Sequence, residues 1–193
     1  MKKILWYVLF FFIAVLLILL DQWTKSLAVQ FLKGGKELSL IPHILVLVYV
    51  ENPGAAFGIL HGQQGFFLII TIAVLLGILY VLWKLPKEMR LKTGKEEIAT
   101  NQLSSDISAR EYKNKKEKSL LPLFFILCFI FSGAIGNFID RQLQSYVVDF
   151  IYFKPIDFPV FNVADIYVTL SCIGLFLLAF FYYNEDDFAF LKH

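Results

Sequence analysis

The chain has 193 residues, a net charge of +2 and a hydrophobic fraction of 58%. Its mean hydropathy of +0.66 exceeds what a soluble domain normally carries, and its charge is too small for a nucleic-acid footprint. The two cysteines, Cys128 and Cys172, each sit inside an apolar run, so they make neither a disulfide framework nor a metal quartet and read as buried packing residues.

Four apolar runs follow in chain order. Residues 4–20 are unbroken. Residues 66–83 are interrupted only by Thr71 and Gly77. Residues 120–139 carry Ser132, Gly133, Gly136 and Asn137 near their end. Residues 167–183 complete the set. Each is long enough, as a helix, to cross a hydrocarbon core of roughly 30 Å. Met1-Lys2-Lys3 looks like a signal-peptide start. The run behind it is long for such a peptide, however, and Asp21-Gln22-Trp23 follows where small cleavage-site residues would stand. It is read as a retained span. The expected fold is an all-α membrane protein with four transmembrane helices and a small β-rich extracytoplasmic segment. A single membrane domain over 1–193 would have spans at about 4–23, 65–83, 120–140 and 164–183.

Lysine and arginine set the orientation. Between residues 84 and 118 lie ten of the eighteen basic residues, with six acids among them. Lys2 and Lys3 precede the first run. The positive-inside rule then places both termini and the basic 84–119 loop in the cytoplasm. Segments 27–64 and 141–163 face outward.

The first outer segment is not plain linker. Residues 44–50 are rich in β-branched side chains, and Lys33-Gly34-Gly35-Lys36 marks a turn before them. A small β-structure lying on the membrane surface is expected. Then comes Glu51-Asn52-Pro53-Gly54-Ala55-Ala56-Phe57, where Pro-Gly fits a tight turn and the small residues admit close backbone approach. It reads either as a static turn or as a mobile flap over a site.

Five acids stand at the outer ends of the runs: Asp21, Asp140, Asp149, Asp165 and, less distinctly, Asp157. Ionisable groups near spans cost free energy and point to function, but each has a structural reading as well. Asp21 and Lys25 are spaced for an intrahelical pair. Asn137 and Asp140 share a helix face, and Arg141 complements a helix C-terminus. Asn162 at N-cap and Asp165 at N3 would make a variant capping box. Asp149, flanked by Val147, Val148, Phe150 and Ile151, has the least structural reason to be there.

His43, His61 and His193 are scattered, no HExxH or GxSxG occurs, and no Ser-Lys arrangement stands out. No metal and no cofactor is expected. Two close carboxylates cannot both ionise comfortably, so one keeps a proton while the other acts as base. Such a pair can hydrolyse a peptide bond. The alternative is a small transporter or ion-coupled carrier that moves protons or cations on its clustered carboxylates. Acids gathered at one face, with none at the midplane, argue against a transport path.

Five ordered stretches carry a resemblance. They are Asp21-Gln22-x-Thr24-Lys25, Asn52-Pro53-Gly54-Ala55-Ala56-Phe57, Gly133-Ala134-x-Gly136-Asn137-x-Ile139-Asp140-Arg141, Val147-Val148-Asp149-Phe150 and Phe161-Asn162-x-Ala164-Asp165. With its four-span layout, the chain resembles the lipoprotein signal peptidases, or signal peptidases II. The resemblance implies an aspartic endopeptidase of the bacterial inner membrane, with its active site at the outer face. Its substrates would be prolipoproteins carrying diacylglyceryl-cysteine, cut just before that cysteine. It implies Asp149 and Asp165 as the catalytic dyad. Asn52, Gly54, Asn137, Asp140, Arg141, Asn162, Asp21 and Lys25 would bind substrate or shape the site. Partners would be these substrates and membrane lipids, with no nucleic acid and a monomeric protein. Ser132 stands where the family often has a further glycine, and the 84–118 insert replaces a turn that is short in many relatives.

Overall fold

A computed structural model describes residues 3–54, 63–85 and 119–191. Ala55, Ala56 and Phe57 of the proposed flap lie outside the described residues. So do His61, His193 and nearly all of the basic loop. The architecture is mostly helical, with one small antiparallel sheet. Helix α1 spans Lys3–Leu32, α2 Gln64–Lys84, α3 Leu121–Gln144 and α4 Val163–Leu177. The last of these runs on through a π-helical turn, Leu178–Tyr182, and a 3-10 helix covers Glu185–Leu191. Among the described residues, four helices are long and apolar enough to cross a membrane.

Helix α3 is the hub and packs against α1, α2 and α4. Lipid tails give no hydrophobic drive between helices, so close packing must hold them together. Small residues permit it. A Cβ on Gly133 would stand 2.6 Å from the Ala164 carbonyl oxygen, so α3 and α4 meet backbone to backbone there. Towards the other end, Trp6 and Phe10 of α1 stack edge-on against Phe124 of α3, beside Cys128, Ile78 and Leu82. Ser132 turns its hydroxyl onto the Cys128 carbonyl at 2.7 Å. Cys172 departs from its expected burial. The buried stripe of α4 is Ala164, Tyr167 and Ser171, and the residue after Ser171 is turned outward with the lipid-facing set.

Helix α1 runs on to Leu32, well past the expected end of the first span. Its thirty residues give a length of about 45 Å, more than the hydrocarbon core needs. Asp21, Lys25, Ala28 and Leu32 form one buried stripe along this extension. Ala28 and Leu32 pack under Val148 and Phe150 of the sheet.

The sheet has the order β1-β2-β3, from Leu38–Ile41, Leu45–Asn52 and Val147–Phe153. The β-rich segment around residue 44 is thus a hairpin, and the Asp149 segment is its third strand. Leu45 and Leu47 pair with Phe153 and Ile151, but Val50 and Asn52 pair with Asp149 and Val147. One extra residue on β2 therefore shifts the alternation between Leu47 and Val50. Bulges of this kind re-aim side chains, and this one puts Asn52 on the Asp149 face. Ser145, in the left-handed region at φ 71°, ends α3 and turns the chain into β3. Phe161 bridges to Ile151 and pins the start of α4 beside β3.

Candidate active site

The floor of the site is an ion cluster between α1, α3 and α4. Lys25 Nζ lies 2.9 Å from Asp21 Oδ2, 3.0 Å from Asp140 Oδ2 and 2.8 Å from Asn137 Oδ1. An ammonium has three protons, so this lysine is fully satisfied. Asp21 also accepts the Ala164 backbone N–H at 3.0 Å, and Asp140 accepts that of Val148 at 3.2 Å. Gln22 donates to Asp140 Oδ1 and to the Gly136 carbonyl. The cluster ties helix α1 to the ends of both helices that frame the site. Asp21 is fully buried and Lys25 is 3% exposed. Charges this deep persist only when paired and hydrogen-bonded.

Three asparagines stand above this floor and hold two carboxylates. Asn52 donates to Asp149 Oδ2 at 2.8 Å, and Asn162 donates to Asp149 Oδ1 at 2.7 Å. Asn137 donates to Asp165 Oδ1 at 2.8 Å. Asp165 Oδ2 accepts the Asn162 backbone N–H at 3.2 Å, and Asn162 Oδ1 accepts the Asp165 backbone N–H at 3.0 Å. This reciprocal pair is the capping box that the sequence allows. Asn162 therefore caps α4 and links the two acids at once.

A pocket of about 500 Å³ opens over these groups. Asn52, Gly54, Asn137, Arg141, Asp149 and Asp165 supply its polar side. Phe158, Pro159, Val160, Ile166 and Leu170 supply much of its apolar side. Arg141 lies 4.5 Å over the Phe67 ring of α2, and its Nη2 donates to the Gly54 carbonyl at 3.3 Å. Asp149 is 2% exposed. Burial pushes its carboxyl up to about 7. The amide of Asn52 opposes that rise and the charge of Asp165 adds to it.

The structure thus brings together Asp149, Asp165, Asn52, Gly54, Asn137 and Arg141 around one cavity, with Asn162 buried behind the two acids. Asp21, Lys25 and Asp140 lie beneath it and do not line it. Asp157 stands apart, in a turn where Tyr152 donates to it. Gln22 takes part in the floor, although sequence reasoning gave it no separate role. The apolar wall from Phe158 to Val160 carried no signal either, because a hydrophobic loop residue looks alike wherever it points.

Fold and site together define a multi-pass membrane protein with a carboxylate-lined pocket at one end of its helix bundle. The model for Signal peptidase (SPase) II matches residues 13–101 and 107–181. The chain is 37% identical over 177 residues to a lipoprotein signal peptidase of Brevibacillus brevis, covering 92% of this chain and 95% of that one. It is 35% identical over 181 residues to a lipoprotein signal peptidase of Streptococcus pyogenes, covering 94% and 97%. Two solved structures, each described as a bacterial membrane enzyme, superpose with TM-scores of 0.65 and 0.63 at 32% identity. They cover 87% of this chain and 85% and 90% of their own. The chain belongs to the signal peptidase II family and is a membrane-embedded peptidase of lipoprotein processing.

Proposed function

We propose that the chain is an aspartic endopeptidase that cuts diacylglyceryl-modified prolipoproteins just before the lipidated cysteine. Asp149 and Asp165 would be its dyad. The observation that carries this reading is the cavity that both carboxylates line, each gripped by asparagine N–H donors.

The two acids have different surroundings, and the roles proposed for them follow that difference. In this reading Asp165, at the N-terminus of α4 where the helix favours an anion, is the base. Buried Asp149 keeps the proton. Asp165 takes a proton from water as the water oxygen attacks the scissile carbonyl carbon, and Asp149 gives its proton to the carbonyl oxygen. The resulting gem-diol collapses. The C–N bond breaks, Asp165 protonates the leaving nitrogen, and one diol hydroxyl returns its proton to Asp149. Apolar walls exclude bulk water and strengthen each of these interactions. A lipid-anchored substrate presents its scissile bond near the membrane interface, and a dyad at the ends of the spans would meet it there. Asn52, Gly54 and Arg141 are placed to meet substrate backbone.

The protonated form of Asp149 is the active one under this assignment. Below about 7 the carboxyl holds its proton, and above that it loses it. The rate kcat/KM should therefore fall on the alkaline side of a limb near pH 7, measured on a diacylglyceryl lipobox peptide. Activity that keeps rising well beyond pH 9 would reverse the roles or remove Asp149 from them.

The basic 84–119 segment orients the chain, with the dyad on the outer side and both termini in the cytoplasm. Reporter fusions after Tyr152 should register the exterior, and fusions after Lys95 the cytoplasm. The opposite pattern would put the dyad on the wrong side for an exported substrate.

A further inference from the structure

The three amides that grip the dyad must all point the same way. Each must turn its NH2 to a carboxylate and its oxygen to something else, because a flipped amide would set oxygen against oxygen. Two are oriented by backbone donors. Gly54 N–H donates to Asn52 Oδ1 at 3.0 Å, and Asp165 N–H donates to Asn162 Oδ1. The third, Asn137, takes a different donor. Its Oδ1 faces Lys25 Nζ at 2.8 Å, with a second donor in Asn162 Nδ2 at 3.1 Å.

We propose that Lys25 is a positioning residue, whose ammonium orients the Asn137 amide so that the Asn137 N–H is aimed at Asp165. The proposal rests on the dyad reading above and adds a role to it. Lysine donates three hydrogen bonds and accepts none, so it can face only the oxygen of that amide. Its other two protons are held by Asp21 and Asp140, which prevents it from swinging away. Lys25 is buried beneath the cavity and touches neither substrate space nor the dyad directly. Its hydrogen-bonded route to the site therefore passes through Asn137, beside the weaker through-space pull of its charge on Asp149. Asp21 and Asp140 acquire a purpose from this, since they hold the ammonium in place rather than perform chemistry.

Among the described residues, the charged groups facing Asn137 and Asp165 are few. Helix α1 contributes Asp21 and Lys25, α3 contributes Asp140 and Arg141, and β3 contributes Asp149. The Glu51 carboxylate of β2 is on the exposed surface, paired with Lys33.

The test is kinetic, with purified protein in detergent and a diacylglyceryl lipobox peptide. Lys25→Met removes the ammonium and risks the fold by leaving two buried carboxylates unpaired. The companion variant Lys25→Met/Asp21→Asn keeps the net charge of the cluster at −1, because one positive and one negative charge go together. Both should show kcat lowered by about 10- to 100-fold, the scale of one hydrogen bond to a charged group, with KM little changed. Asn137→Ala should lower kcat by a similar factor, again with KM little changed. Lys25→Met should add almost nothing in an Asn137→Ala background, since both changes remove the same interaction. Recovery of kcat in the charge-balanced variant would make Lys25 a structural counter-ion only. Losses that multiply across Lys25 and Asn137 would also overturn the relay. Activity surviving in Asp165→Asn would instead sink the dyad itself.

Discussion

Asp149→Asn and Asp165→Asn should each lower cleavage by about 10²- to 10⁴-fold, the usual contribution of a positioned general acid or base. Neither carboxylate alone can both take a proton from water and supply one to the substrate. The substitutions are nearly isosteric, so the protein should remain folded. Asp165→Asn weakens the capping box, which costs about 1 kcal/mol. Asp149→Asn sets a new NH2 against the amide donors of Asn52 and Asn162, a local conflict inside an intact sheet. Thermal unfolding in detergent separates these small stability losses from the large rate loss. The competing dyad is Asp140 with Asp165. Asp140 is bound to Lys25 and Gln22 and does not line the cavity. Asp140→Asn should accordingly act on stability first. Folded Asp140→Asn without activity, beside active Asp149→Asn, would hand the acid role to Asp140.

Gly136→Ala should damage both stability and activity. A Cβ built there falls onto the Asp21 carboxylate, with the Ala164 Cβ 3.5 Å away. Asp21 has nowhere to go. One of its oxygens holds the first turn of α4 through Ala164 N–H, and the other holds Lys25. Displacing it breaks a buried charge pair, a loss on the order of 3–5 kcal/mol. The damage should spread to Asn137 through Lys25, so the folded fraction should also be catalytically poor. Gly77→Ala in α2 is the control. Nothing lies within 4 Å of its added Cβ, and alanine favours a helix over glycine by about 0.5–1 kcal/mol. Melting temperatures and membrane yields of the two variants give the comparison. Wild-type stability in Gly136→Ala would mean that the Asp21 cluster is looser than its geometry implies.

The four spans were legible because lipid imposes a blunt rule: about twenty apolar residues must follow one another, whatever their neighbours in space. The unusual acids were legible for the same reason, since Asp149 among Val147, Val148 and Phe150 stands out from its surroundings. The capping box at Asn162 and Asp165 is local, with a spacing of three residues, and could be read from the chain. The far end of α1 could not. Asp21, Gln22 and Lys25 look like the polar close of a span, yet the helix continues to Leu32 because their polar groups are satisfied by Asp140, Asn137 and Gly136 of another helix. The strand holding Asp149 was hidden because residues 147–150 are all buried, which erases the alternation that marks a half-exposed strand. Simple alternation would also have put Asn52 on the wrong face, and only the bulge in β2 turns it to Asp149. By itself the sequence determined which residues must lie in lipid and which acids were out of place there. Tertiary structure alone decided which amide faces which carboxylate and which lysine holds that amide, because those contacts join residues up to 112 positions apart whose partners no local spacing can specify.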